Sequence, residues 1–294
     1  MTAPDRIFDS ENHVQIIGDV VPAGLLIIRV QDGRVVFSNR SFEELLGDNG
    51  SEVFGASWEQ FFADPEDRQQ LMLSFVANEE VRNRELKLIG KNGKVIWGLV
   101  SISSVAINDE DYLLFAFSDV TPLKNAMMEI EHLANHDNLT GLPTVRLLED
   151  RISHAILQAD RQQTQLAIMF VDLDGFKSVN DSLGHETGDI VLKESARRMV
   201  KCVRGSDTVA RIGGDEFVIL LDSHDQQTTE GIANRVVREL GCPIQTAAGS
   251  ATIGASVGVS CYPANGDTPK KLIKAADDAM YKVKKDTKGG VAFA

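Results

Sequence analysis

Acidic residues stand at the ends of two strand-like apolar runs in the second half of the sequence. Residues 165–172 read QLAIMFVD, an apolar run closed by Asp172, as expected of a buried central strand that brings one carboxylate to a sheet edge. Residues 207–221 read DTVARIGGDEFVILL and carry Asp215 and Glu216 near their centre. Carboxylates delivered to one edge are hard oxygen ligands, which favour Mg²⁺ or Mn²⁺.

Two adjacent glycines predict how the second run folds. Gly213 and Gly214 accept the positive φ values of a tight turn, so this run is predicted to form a β-hairpin with its acidic pair at the tip. If the hairpin pairs beside the strand that ends at Asp172, two or three carboxylates converge. Past that strand, Phe176 and Lys177 open a helical stretch whose free backbone N–H groups suit phosphate oxygens.

The elements around these residues predict two domains. A chain of 294 residues is long for one ordinary domain, and either half is large enough to bury a core. Residues 12–121 contain a hairpin, short helices and a three-stranded meander, which together make an α+β module. We assign residues 122–136 to a helical linker and residues 137–294 to a second domain.

The linker has the spacing of a short amphipathic helix. Leu123, Met127, Ile130 and Ala134 recur at intervals of four, three and four residues, after a proline in the first helical turn. A seam of two heptads is too short to hold a coiled coil alone, but between two domains it can continue a dimer axis. The alternative is a connecting helix that packs on its own chain, and the sequence leaves both open.

Charge and composition narrow the classes of function. The net charge of −13 is concentrated in residues 1–121, which carry 20 acidic and 10 basic side chains, and such a surface repels nucleic acids and anionic membranes. No apolar run approaches the roughly 20 residues that cross a bilayer, so we expect a cytoplasmic protein without a signal peptide. The three cysteines lack metal-ligand spacing and are expected to be reduced thiols.

Short signals mark the second strand and the end of the first module. Asn39 follows the second strand, and Asp119, Val120 and Thr121 close the last. Together with the order of strands and helices, these residues make the first module resemble a PAS sensor domain. This resemblance implies a regulatory module that binds a small organic ligand or none. No cysteine occurs in this region, which argues against flavin photochemistry through a cysteinyl adduct.

The second domain contains several motifs in a fixed order. They are DNLTGLP at 137–143, FVDLDGFKSVND at 170–181, GHETGD at 184–189, GGDEF at 213–217, SVGVSCYP at 256–263 and AADDAMYKVKK at 275–285. Together they resemble the GGDEF family of diguanylate cyclases over about residues 135–294. The resemblance implies that an α/β, nucleotidyl-cyclase-like domain, with a central sheet flanked by helices, follows the α+β PAS domain.

Metal-binding and catalytic roles follow from this resemblance. It implies that Asp172, the carbonyl of Leu173 and Asp215 hold the catalytic Mg²⁺ or Mn²⁺, with two ions in each active half-site. It also implies that Glu216 is a second metal ligand or the base for the 3′-hydroxyl. Metal ions of this kind offset the negative charge of a phosphate under attack and of its leaving group.

The resemblance also implies which residues bind GTP. Asn180 and Asp189 are expected to recognise guanine, because a carboxylate accepts hydrogen bonds from both the N1–H and the 2-amino group of this base. The triphosphate is expected to lie against backbone amides and ammonium groups. The residues of this set are Phe176, Lys177, Lys284 and Lys288, beside the glycines Gly213 and Gly214.

Simpler roles stay open for several of these residues. Asp189 fits a cap for a helix that starts near Ile190, and Asn180 fits an Asx turn. Lys284 and Lys288 fit solvated lysines at a helix end. The ending KKDTKGG replaces the commoner ending of the family, a change that weakens the expected triphosphate contacts.

The implied reaction joins two GTP molecules into cyclic di-GMP with release of two pyrophosphates. Each 3′-hydroxyl attacks the α-phosphorus of the other nucleotide, so two half-sites must face each other in a homodimer. Arg204 and Asp207 match the RxxD inhibitory site of the family, with Arg235 on the following helix as a secondary arginine for the product. An Arg–Asp surface pair is the simpler alternative for this motif.

Two other functions remain in competition with the enzyme. One is a catalytically silent receptor that binds cyclic di-GMP through Arg204 and Asp207. The other is a regulatory GTP-binding module that signals through its linker helix. Intact Asp172, Asp215 and Glu216 favour the enzyme, since a receptor has no need of paired metal ligands.

Overall fold

The computed structural model describes residues 18, 20–47, 53–77, 81–90, 93–107, 110–222, 225–286 and 289–294. Lys288 and residues 12–17 of the predicted sensor module lie outside these ranges. The chain divides after Met128 into two compact units, 1–128 and 129–294. The boundaries of the predicted domains and linker stay predictions.

An antiparallel five-stranded sheet forms the first unit, with strand order β2-β1-β5-β4-β3. Its strands are β1 Gly24–Arg29, β2 Val35–Ser38, β3 Val81–Ile89, β4 Val95–Ile107 and β5 Glu110–Asp119. Its helices are α1 Arg40–Leu46, a 3₁₀ helix Trp58–Phe61 and α2 Pro65–Val76. The predicted hairpin and three-stranded meander are confirmed, and Val81, at the start of β3, already pairs with β4.

Aromatic rings fill the inner face of this sheet. Phe115 makes edge-to-face contacts with Phe42, Trp58 and Phe62, at centroid distances of 6.4, 6.1 and 6.4 Å. Such contacts add to the stabilisation from burying the rings. The interior of the unit is therefore a packed aromatic core.

Asn39 explains one of the sequence signals of this unit. Its side chain is fully buried, and its Oδ1 accepts from the N–H groups of Phe42 and Leu25 at 3.0 and 2.8 Å. Its Nδ2 donates to the carbonyls of Gly18 and Ala23, each at 2.8 Å. One amide thus caps α1 and ties it to the start of β1.

A second five-stranded sheet, with order β12-β11-β6-β8-β7, organises residues 129–294. The strands are β6 Leu166–Asp172, β7 Thr208–Gly213, β8 Glu216–Leu221, β11 Ser256–Tyr262 and β12 Gly290–Phe293, with a separate small pair, β9 Ile244–Thr246 and β10 Gly249–Ala251. Among the described strands of this sheet, β11 and β12 are the one parallel pair. Every residue of β6 is buried, as predicted for a central strand.

Helices cover both faces of this sheet. They are α4 Val145–Gln162, α5 Phe176–Leu183, α6 His185–Lys201, α7 Gln226–Leu240 and α8 Pro269–Asp286. Met169 and Val171 of β6 pack with α6 and α7, whereas Ile168 and Phe170 pack with α4 and α8. The predicted α/β architecture, with a central sheet flanked by helices, is confirmed.

Helix α3, Thr121–Asn135, spans the predicted linker and contains no buried residue. Leu123, Met127 and Ile130 are 60, 58 and 66 % exposed within this chain. Three of the four residues of the predicted apolar seam are therefore left exposed by the described residues of their own chain, while the fourth, Ala134, is half-buried. None of the described helices is long and apolar enough to cross a membrane.

Candidate active site

Three carboxylates meet at one edge of the second sheet. Asp172 ends β6 and pairs directly with Glu216, the first residue of β8, while Asp215 lies in the turn before β8. The N–H of Leu173 donates to the Asp215 carbonyl at 3.2 Å and extends this pairing past the strand. Directly opposed residues of an antiparallel pair stand about 5 Å apart at their Cα atoms. We call Asp172, Asp215 and Glu216 the acidic edge.

The carboxylates of the acidic edge repel one another. Burial and the nearby charge of Asp172 raise the pKa of the Asp215 carboxyl above its usual value. Burial, Asp172 and Asp215 raise the pKa of Glu216 in the same way. A cation placed among these groups relieves the repulsion that both shifts report.

Lys284 supplies one positive charge to the acidic edge. Its Nζ donates to Asp172 Oδ2 at 2.7 Å, and although burial opposes the shift, this contact raises the pKa of Lys284. Helix α8 reaches this position because it lies directly on β11, where a Cβ on Gly258 would come within 2.0 Å of the Ala276 carbonyl oxygen. In this structure Lys284 is thus paired with a predicted metal ligand and is not a freely solvated lysine.

The acidic edge fits a divalent cation bound together with a nucleotide. Asp172 Oδ1 is buried and has no hydrogen-bond partner among the described residues. Within those residues, no group of three or more His, Cys, Asp or Glu side chains is arranged to hold a metal ion without further ligands. Mg²⁺ commonly takes one or two carboxylates and completes its octahedron with water and substrate phosphates. The open oxygen of Asp172 matches that partial ligand set.

The turn that carries Asp215 has one backbone position with positive φ, which glycine adopts readily. Gly214 has φ of +51°, whereas Gly213 still belongs to β7 and lies at an irregularity of the pairing. The predicted hairpin is confirmed, but only one of its two glycines takes a positive φ. Gly213 instead accommodates the change of register.

Arg211 holds this turn in place, a role that the sequence analysis missed. Its Nε and Nη2 donate to the Gly214 carbonyl at 3.1 and 2.7 Å, and its Nη1 donates to Asp137 Oδ1 at 3.0 Å. Although partial burial opposes it, hydrogen bonds from Thr140 and Arg211 lower the pKa of Asp137. An arginine two residues before a glycine turn was the signal available in the sequence.

The start of α5 provides the predicted backbone N–H groups. Gly175 precedes the helix at φ of +85°, and no side chain caps it. Phe176 is buried, whereas Lys177 is exposed, and the N–H of Phe176 donates to the Leu173 carbonyl at 3.3 Å. A carbonyl oxygen has two lone pairs, so the Leu173 carbonyl can accept a second partner beside this N–H group.

Asn180 and Asp189 lie on two neighbouring helices, α5 and α6. A Cβ on Gly188 would lie 1.8 Å from Asn180 Oδ1, so the glycine lets the two helices approach closely. Asn180 Oδ1 is buried without a partner among the described residues, which rules out the Asx-turn alternative. The capping alternative for Asp189 is also wrong, because α6 begins at His185 and leaves Asp189 exposed inside the helix.

Arg204 and Arg235 line one cleft of about 560 Å³ on the second unit. Asp207 is nearly buried and accepts from the backbone N–H groups of Arg204 and Asp222 at 2.8 and 3.2 Å. Arg235 donates to the Cys202 carbonyl. The structure therefore brings the two arginines together, while the Asp207 carboxylate holds the turn beside them.

Comparison with known proteins assigns both units. The profile of the family described as "Diguanylate cyclase, GGDEF domain" matches residues 134–289, more than half of the chain. The chain belongs to the GGDEF family. A PAS domain profile matches residues 22–122, so a PAS domain precedes the GGDEF domain.

Individual relatives agree with this assignment. Two proteins from Pseudomonas aeruginosa, the bifunctional diguanylate cyclase/cyclic di-GMP phosphodiesterase MucR and the diguanylate cyclase TpbB, are 43 and 40 % identical over 59 and 57 % of the chain. An uncharacterized signaling protein from Caulobacter vibrioides is 30 % identical over 96 % of the chain. The chain spans 25, 39 and 34 % of the lengths of these three relatives, respectively.

Solved structures match the GGDEF domain. The crystallised TpbB fragment that comprises only the GGDEF domain superposes with a TM-score of 0.53 and 39 % identity, covering 54 % of this chain and 94 % of the fragment. A sensory box/GGDEF family protein from Caulobacter crescentus is 38 % identical, with a TM-score of 0.50 over 52 % of this chain and 99 % of that one.

Proposed function

We propose that this chain is a diguanylate cyclase, which condenses two GTP molecules into cyclic di-GMP and releases two pyrophosphates. The observation that carries the proposal is the acidic edge, where Asp172 and Glu216 from two paired strands and Asp215 from the adjoining turn come together, and where one oxygen of Asp172 is open. The printed names of the relatives MucR and TpbB both include diguanylate cyclase, which supports the same chemistry.

In this proposal the acidic edge binds Mg²⁺ or Mn²⁺ together with GTP. Asp172, the Leu173 carbonyl and Asp215 hold the cations, two in each half-site, and Glu216 is a further ligand or the base for the 3′-hydroxyl. The bound ions supply charge neutralisation at the α-phosphate and the pyrophosphate. Before they bind, Lys284 neutralises Asp172, and it turns to the triphosphate when they do.

The rest of the site binds and orients the nucleotide. Asn180 and Asp189 read guanine from adjacent helices, and the uncapped start of α5 at Phe176 and Lys177 receives phosphate oxygens. Lys288 adds a second ammonium group. Gly213 and Gly214 present no side chain at the turn, so a nucleotide can approach the backbone there.

The working enzyme in this proposal is a homodimer. Each half-site holds one GTP, and the two α-phosphates are attacked in turn across the contact. The exposed seam on α3 supports a parallel pairing of two chains between the PAS and GGDEF domains. The PAS domain, residues 12–121, would pass its signal through this linker, 122–136, to the catalytic domain, 137–294.

Product control is the remaining part of the proposal. Arg204 and Arg235 line a cleft large enough for a nucleotide product, and guanidinium groups fork onto phosphates. Asp207 would accept from the product's guanine once it leaves its present backbone contacts. The PAS domain is proposed to sense a small organic ligand or none, and its packed aromatic core argues against a large interior cofactor.

A direct assay separates the candidate functions. Purified protein is incubated with GTP and Mg²⁺, and products are identified by mass spectrometry, beside Asp215→Asn and the exposed helix variant Glu230→Gln. The proposal predicts cyclic di-GMP from the wild type and Glu230→Gln, and none from Asp215→Asn. Wild-type protein that binds cyclic di-GMP but makes none would favour the receptor, a second candidate that the arginine cleft supports.

A further inference from the structure

Ser256 is a fully buried polar residue at the junction of three strands of the second sheet. It is the first residue of β11, and its backbone pairs with Asp172 on β6 and with Gly290 on β12. It therefore lies directly between the strand that delivers a predicted metal ligand and the strand that follows helix α8.

The hydroxyl of Ser256 joins two loops of the active site. Its Oγ donates to Asp174 Oδ2 at 2.8 Å and accepts from the N–H of Gly289 at 3.3 Å. Asp174 sits in the loop between the Leu173 carbonyl and the start of α5, and Gly289 follows Lys288. The Ser256 side chain thus connects the two segments that are predicted to bind phosphate.

The Asp174 loop is fixed from its backbone side as well. The N–H of Asp174 donates to the Gly254 carbonyl at 3.0 Å, and the N–H of Gly254 donates back at 2.9 Å. A Cβ on Gly254 would lie 3.3 Å from the Asp174 Cβ, so this exchange depends on close approach. The backbone bonds set the distance between the loops, and the Ser256 hydroxyl sets the direction of the carboxylate.

We propose that Ser256 is a positioning residue for the nucleotide site: by holding Asp174 and the Gly289 amide together, it fixes the Leu173 carbonyl and the α5 amides relative to the segment after α8. The negative charge of Asp174 also reaches Lys284 and helps to keep that ammonium at the acidic edge. This inference depends on the proposed function for the identity of the substrate, GTP. It does not depend on turnover of that substrate.

Without the hydroxyl, both partners lose their shared contact. The Asp174 carboxylate would lack this donor and the Gly289 amide this acceptor. Because the two loops hold the phosphate contacts, the loss appears in nucleotide affinity. A hydrogen bond to a charged group is strong enough that we expect roughly tenfold weaker binding.

Ser260 provides a matched control on the same strand. It is also fully buried, and its Oγ donates to the Leu272 carbonyl at 2.7 Å, away from the acidic edge. Ser256→Ala and Ser260→Ala each remove one buried serine hydroxyl from β11. Both variants are expected to lower the melting temperature by about 2–4 °C.

The test measures the affinity of the full chain for a fluorescent GTP analogue with Mg²⁺, in wild type and both serine variants. The proposal predicts that Ser256→Ala binds the analogue roughly tenfold more weakly than wild type, whereas Ser260→Ala binds it as tightly as wild type. In an Asp174→Ala background, Ser256→Ala should weaken binding by a smaller factor. Equal affinities for Ser256→Ala and Ser260→Ala would overturn it. Wild-type protein that binds the analogue but makes no cyclic di-GMP would overturn only the proposed function, and absence of wild-type binding would overturn both.

Discussion

At the scale of residues, one lysine from a distant part of the chain supplies a counter-charge to the acidic edge. Asp172 ends one apolar run and Glu216 begins another, with Asp215 directly before it, so local sequence reveals all three carboxylates. The contact of Lys284 with Asp172 joins residues 112 positions apart, and no spacing rule connects them. The family resemblance implies a place for Lys284 at the triphosphate, whereas its contact with Asp172 depends on how α8 packs on β11.

The ion pair between Asp172 and Lys284 gives a stability prediction. Lys284→Met leaves the nearly buried Asp172 unpaired, so the metal-free protein should lose about 1–3 kcal/mol of stability. Adding Asp172→Asn removes the unpaired charge and should recover most of that loss. Urea unfolding in EDTA measures both changes. Additive destabilisation in the double variant would show that the two groups do not interact.

Arg204 gives a prediction about regulation. It is exposed and lines the cleft shared with Arg235, away from the acidic edge. Arg204→Ala should leave the initial rate near wild type and raise the concentration of cyclic di-GMP for half inhibition by at least about tenfold. Lys193→Ala, an exposed change on α6, serves as control. Unchanged inhibition of Arg204→Ala by added product would count against the assigned site.

At the scale of elements, strands were easier to predict than helix ends. The β7 and β8 hairpin follows from its glycines and apolar flanks. Helix α6 begins at His185, five residues before the alternative start at Ile190, although GHETG looks like a loop by propensity. Packing of Thr187 and Gly188 under α5 overrides that local preference, and such tertiary contacts are invisible in one sequence.

The hairpin turn supports a prediction about Arg211. Lysine cannot fork onto the Gly214 carbonyl and Asp137 together, so Arg211→Lys should loosen the turn that carries Asp215. We expect turnover to fall by roughly 10- to 100-fold, since small displacements of reacting groups are costly. Steady-state rates with Arg238→Lys, an exposed arginine of α7, provide the comparison. Equal turnover in both variants would exclude this role.

Helices α6 and α7 are linked by a pH-dependent cluster. Hydrogen bonds from Arg197, and then from Arg198, lower the pKa of Glu194 to about 2. Arg198 also donates to the Glu239 and Cys242 carbonyls at the end of α7. Because the folded pKa is depressed, the stabilisation is complete above about pH 4.5, the ordinary pKa, and is lost as pH falls toward 2.

This linkage predicts the behaviour of Glu194→Gln. At pH 7 the variant should be less stable than wild type by about 1 kcal/mol, since the pair is partly screened by solvent. The difference should shrink between pH 4.5 and pH 3, because Glu194 of the unfolded wild-type chain takes up a proton in this range, whereas the folded carboxyl, with a pKa of about 2, stays largely ionised. The urea concentration at the midpoint of unfolding, measured for both proteins at pH 7, 5, 4 and 3, monitors this difference in stability. A difference that stays constant over the series would contradict the assigned pKa.

At the scale of the whole molecule, both domain families were recognisable from ordered motifs, whereas assembly was not. The spacing of Leu123, Met127 and Ile130 in the sequence is compatible with a dimer. The structure shows in addition that these side chains are exposed in a single chain. The proposed chemistry also requires a pair, because one half-site would hold only one of the two nucleotides. In the proposed dimer residues from two copies would meet there, and a single sequence carries no signal for their geometry.

The most direct test of this account mixes wild-type chains with Asp215→Asn chains at constant total concentration and measures cyclic di-GMP formed per wild-type chain. If two intact half-sites must face each other, random pairing at an equal ratio should cut that rate to about half of the unmixed value. A rate per wild-type chain that stays constant as the variant is added would contradict paired half-sites. Full activity of Asp215→Asn alone would contradict the role of the acidic edge.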